Sequence, residues 1–99
     1  MSRSSEIVEL KVISRLCRLG VIVYDFLDPE EKRYAERLMR LGLAVLRGGR
    51  VKPASEKLCQ LYEQYLACYN NISKKCEWPY GRIHECWMEE WARCLSLLP

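Results

Sequence analysis

The chain has 99 residues, 49% of them hydrophobic and 29% charged, with five glycines and four prolines. That composition fits one small domain with a modest core, and it excludes disordered and collagen-like chains and a two-lobed enzyme with an interdomain cleft. The net charge of +3 hides an asymmetry: residues 32–52 hold seven cations (Lys32, Arg33, Arg37, Arg40, Arg47, Arg50 and Lys52) and one acid, Glu36, so this block carries +6 and the rest of the chain −3.

Residues 5–19 predict a helix. Ile7, Leu10, Ile13 and Cys17 form one stripe, flanked by Val12, Leu16 and Leu19; Ser5 is the N-cap and Gly20 the stop. Residues 21–27 fit either a strand, because Val21, Ile22 and Val23 are β-branched, or a short buried helix. Asp28, Pro29, Glu30 and Glu31 then give an N-cap acceptor, a proline at the first helical position and a capping-box pair. The helix they open runs to about Leu41, with Gly42 after its end, an apolar stripe of Tyr34, Leu38 and Leu41, and a neighbouring row of Arg33, Arg37 and Arg40. Residues 43–53 predict a β-hairpin turning at Gly48-Gly49, since both turn positions need positive φ. Ser55 caps a further helix to about Tyr69, with Leu58, Leu61, Tyr62, Tyr65, Leu66 and Tyr69 along its stripe. Residues 70–81 read as a loop and 82–97 as a last helix with Ile83, Trp87, Trp91 and Leu95 in register. The fold class expected is mainly α with a small β-hairpin.

The phrase from Arg37 through Leu41-Gly42-Leu43 and Gly48-Gly49 to Pro53, with the element order around it, resembles the recognition helix and wing of a winged-helix DNA-binding domain of archaeal or archaeal-virus type. The likeness covers residues 5–69 of the single domain. It implies a three-helix core to which the last helix adds a helical hairpin, and a small transcriptional regulator of duplex DNA. Arg33, Arg37 and Arg40 would reach base edges or phosphates, and Arg47, Arg50 and Lys52 the flanking backbone, with Lys32 in the same block. It also implies a homodimer, for which Trp87 and Trp91 are interface candidates; packing of these rings onto Tyr62, Tyr65 and Tyr69 is the alternative. The departure from the family lies between Gly20 and Asp28, where seven residues stand in place of a full helix. A very short helix, a bent first helix or a different fold would each account for that.

The six cysteines are Cys17, Cys59, Cys68, Cys76, Cys86 and Cys94. Near-constant index sums in a hairpin of the last two helices favour Cys68 with Cys86 and Cys59 with Cys94. However, nine residues turn a helix by about 180°, so Cys59 and Cys68 face opposite ways. Cys68 toward the last helix and Cys59 toward Cys17 fits better, although six cysteines allow many pairings. A zinc site would have to draw on Cys76, His84, Cys86 and Cys94 without the usual close Cys pair, so no metal or cofactor is expected. With one histidine no catalytic constellation is visible, and the chain does not read as an enzyme. The N-terminus lacks a signal-like apolar stretch, which predicts an intracellular protein, and the Asn71-Ile72-Ser73 sequon then carries no meaning. Disulfides would then point to a hyperthermophilic interior. The alternative to a DNA-binding protein is a disulfide-braced structural or protein-interaction component, such as part of a virion.

Overall fold

The computed structural model describes the backbone of residues 2–76 and 83–99 and the side chains of residues 8–76 and 85–99. Sequence expectations on the side chains of Ile7, Trp78, Ile83 and His84 therefore lie outside the described residues. The order is α1 (Ser2–Leu19), β1 (Ile22–Val23), a 3-10 turn (Tyr24–Phe26), α2 (Pro29–Arg40), β2 (Ala44–Arg47), β3 (Arg50–Pro53), α3 (Lys57–Asn70), a one-turn helix α4 (Ile72–Lys75) and α5 (Ile83–Leu95). The molecule is mainly helical with a small antiparallel sheet in the order β1-β3-β2.

The ambiguous stretch 21–27 is therefore divided: two residues pair as a strand, Ile22 with Val51 and Val23 with Arg50, and three form the 3-10 turn. β1 turns a hairpin into a three-stranded sheet. Two-residue pairing is set by a partner almost thirty residues away, so local periodicity does not reveal it.

Helix α1 packs against α2, α3 and β3. Val12, Ile13 and Leu16 are fully buried, whereas Leu19, expected to flank the stripe, is the last residue of the helix and is 70% exposed. Gly20, with φ +79°, ends the helix.

Local chemistry accounts for both ends of α2. Asp28 Oδ1 accepts from the Glu31 amide at 2.9 Å while the Asp28 amide donates to Glu31 Oε1 at 3.0 Å, a complete capping box. At the C-terminus Gly42 N donates to Met39 O (3.0 Å) and Leu43 N to Leu38 O (2.9 Å) with Gly42 at φ +76°, a Schellman motif joined by the buried Leu38 and Leu43. Tyr34, Ala35 and Leu38 are buried, but Leu41 is 55% exposed: as the residue after the helix it rotates to the edge of the apolar stripe.

Residues 70–81 are not loop throughout. α4 follows α3 after Asn71 and buries Ile72. α5 packs on both α3 and α4. Three disulfides close the helical part: Cys17–Cys59 joins α1 to α3, Cys68–Cys94 joins α3 to α5, and Cys76–Cys86 joins the end of α4 to α5. Opposite orientation of Cys59 and Cys68 is as expected from their spacing. The index-sum pairs Cys68–Cys86 and Cys59–Cys94 do not form. Because α4 prolongs α3, Cys86 meets Cys76, and Cys68 pairs eight residues further along α5.

Candidate nucleic-acid interface

The cations expected to form a surface lie on two consecutive elements, α2 and the β2–β3 hairpin, joined by Leu41, Gly42 and Leu43. At about 100° per residue, the buried Glu31, Tyr34, Ala35 and Leu38 occupy one side of α2, and Arg33, Arg37 and Arg40 the opposite side, all exposed. The two faces are fixed together, so burying the apolar one against α1 turns the arginines outward. These arginines border a shallow groove between α1 and α2 that is also lined by Val8, Glu9, Glu30 and Tyr34. Carboxylates thus temper the cationic row at one edge.

In the hairpin, the antiparallel register sets Arg47 opposite Arg50, Val45 opposite Lys52 and Leu46 opposite Val51. Directly paired residues share a face. Arg47, Arg50 and Lys52 therefore stand with Val45 on the solvent side, while the fully buried Val51 points to the core. Gly48 and Gly49 have φ of +57° and +76°, the backbone of a tight two-residue turn.

Lys32 differs from the other six cations. Its ammonium lies 5.3 Å from the centre of the Tyr24 ring, and the Tyr24 hydroxyl donates to Glu36 Oε2 at 3.2 Å. It is drawn to the flank of α2, away from the arginine row. Among the described residues the ion pairs are Arg15–Glu31, Lys75–Glu90 and Arg93–Glu90, so Arg33, Arg37, Arg40, Arg47, Arg50 and Lys52 take part in none of them.

Sequence reasoning missed the 3-10 turn beside this surface. Tyr24 N donates to Gly49 O at 2.8 Å, which fastens the turn to the hairpin tip and leaves Phe26 86% exposed. The tandem of Tyr24 and Phe26 was the available signal, but a β-branched run ahead of it has no period that distinguishes strand from turn.

The tryptophans lie elsewhere. Trp91 Nε1 donates to the Tyr65 hydroxyl at 2.9 Å, and Trp87 meets Tyr69 edge-on with centroids 5.3 Å apart. Both interface candidates are thus engaged by rings of their own chain and half-buried. Cys76, Cys86 and Cys94, considered as zinc ligands, are consumed in disulfides, and among the described residues no group of three metal-binding side chains converges. No helix among them is long and apolar enough to cross a membrane.

No protein-family model, curated protein or solved structure matches the chain.

Proposed function

We propose that the chain is a winged-helix-like protein that binds duplex DNA, with α2 directed at the major groove and the β2–β3 hairpin at the adjacent backbone. The observation that carries this reading is the outward row of Arg33, Arg37 and Arg40, continued by Arg47, Arg50 and Lys52 on the solvent face of the sheet. Six exposed cations on two adjoining elements suit a polyanion, and arginine forks match phosphate and guanine edges bidentately. Element order supports the same reading: a basic hairpin follows the arginine helix, and α3 returns onto α1, to which Cys17–Cys59 ties it. On this reading the 3-10 turn takes the place of the full helix that the winged-helix family has between its first and recognition helices.

A titration of duplex DNA at several salt concentrations tests this. Affinity is expected to fall steeply with salt, because bound cations displace condensed counterions. Replacing Arg33, Arg37 and Arg40 together by alanine is expected to weaken binding and to flatten the salt dependence by about one unit of slope per lost phosphate contact. Absence of duplex affinity at low salt, or full affinity in the triple variant, defeats the reading.

The three disulfides support a second reading, a braced structural or interaction protein in an oxidising compartment. Large assemblies in light scattering without any DNA affinity would select it. For the DNA-binding reading, a cell interior that sustains disulfides is required.

A further inference from the structure

Phe26 is the most exposed large apolar side chain among the described residues, at 86%. A single exposed apolar residue needs no explanation, but this one is presented by a turn pinned at several points. Tyr24 N is bonded to Gly49 O at the hairpin tip, and Leu27 N closes the turn on Tyr24 O at 3.1 Å. Leu27 is buried in the core, and the Tyr24 ring is held between Lys32 and Glu36. The backbone is thus fixed on both sides of Phe26 while its ring stands in solvent.

The turn itself carries the exposed carboxylate of Asp25, while its hairpin side is cationic. Val23, three residues before Phe26 and 39% exposed, lies directly opposite Arg50, which lies opposite Arg47. The end of the sheet that carries the turn therefore also carries two outward arginines and a narrow glycine tip. An apolar ring on a rigid mount, with arginines on the adjoining hairpin, suits a nucleic acid: the arginines hold phosphates while the ring enters between bases.

Resting on the duplex-binding reading above, we propose that Phe26 is a wedge that inserts at a base-pair step of bound DNA, beside backbone held by Arg47 and Arg50, and kinks the duplex. Insertion unstacks one step, and the bend brings more backbone onto the protein. Because the mount is fixed by Gly49 and Leu27, little ordering accompanies insertion.

The test uses the full, oxidised chain and a duplex of about 25 base pairs, with a fluorophore at each end, long enough to show the 20–90° kinks such wedges make. Wild-type protein is expected to bring the ends together. Phe26→Ala and Phe26→Ser are expected to bind roughly 5- to 150-fold more weakly, as for loss of one stacked base, with the bend abolished; Phe26→Trp is expected to keep both affinity and bend. Retention of the bend and affinity in Phe26→Ala overturns the wedge while leaving the arginine surface intact. So does a wild-type protein that binds the duplex without bending it, or a loss in Phe26→Ala confined to anionic lipid vesicles. No duplex binding by wild type, by contrast, overturns wedge and reading together.

Discussion

Tyr34 joins the arginine helix to the far end of the chain. Its ring is buried beneath α2 and its hydroxyl donates to Pro99 O at 3.0 Å, across 65 residues of sequence. Burial pushes the phenol well above the ordinary tyrosine value, the charge of Glu9 pushes it further, and Arg37 opposes both. In the unfolded chain a tyrosine ionises near pH 10, so above that pH the unfolded state sheds a proton that the folded state keeps. The contribution of Tyr34 is fully present below about pH 10 and is lost as pH rises toward its folded value. Urea midpoints followed from pH 8 to 11.5 are expected to drop more steeply in the wild type than in Tyr34→Phe; equal slopes would clear Tyr34 of that role. The core position of Tyr34 is legible from its spacing with Leu38. Its partner is not, because nothing in a local window points to Pro99.

Helix α2 and the hairpin are the elements the sequence describes best, since residues within five positions of one another set their limits. The Asp28/Glu31 box, the Gly42 stop and the Gly48-Gly49 turn all form where spacing places them. The glycines act through backbone conformation alone: a Cβ added at Gly49 meets no atom within 4 Å, yet φ is +76°. Gly49→Ala is therefore expected to cost about 1 kcal/mol, the left-handed penalty without a steric one, measured as a shift in the denaturation midpoint; a cost near zero would mean that the turn relaxes. By contrast, β1 and the 3-10 turn were open in the sequence. A strand of two residues has too little pattern to identify itself, and its existence depends on Val51 and Arg50 arriving beside it. The same dependence applies to the candidate site: the cations of α2 and the hairpin can be read from the charge block, but Phe26 joins them only through the bond from Tyr24 to Gly49.

The whole molecule is extended for its length. Its radius of gyration is 15.1 Å, against about 13 Å for a compact domain of this size. Its accessible surface is 6915 Å², against roughly 5900 Å² from mass scaling. Such a shape gives a thin core, and the disulfides offset this by constraining the unfolded chain. They close separations of 42, 26 and 10 residues. Chain entropy then assigns about 4 kcal/mol to the longest and about 2.7 kcal/mol to the shortest. Replacing Cys17 and Cys59 by serine is expected to destabilise more than replacing Cys76 and Cys86, in denaturant titrations without reductant. The reverse order would show that local packing outweighs loop entropy.

By itself, the sequence determined the four long helices, both ends of α2, the glycine-turned hairpin, the outward arginines and the opposed orientation of Cys59 and Cys68. Each follows from backbone preference or helical periodicity over a few residues. It did not determine α4 or the N-caps of α1 and α3, since α1 starts ahead of Ser5 and Glu56 rather than Ser55 precedes α3. Only the tertiary structure decided the third strand, the partners of Cys68 and Cys86, the turn of Trp87 and Trp91 onto their own chain, the diversion of Lys32 to Tyr24 and the exposure of Phe26. These depend on which distant segments meet, and burial of the apolar faces of α2 and α3 against α1, and of α5 against α3 and α4, sets that arrangement.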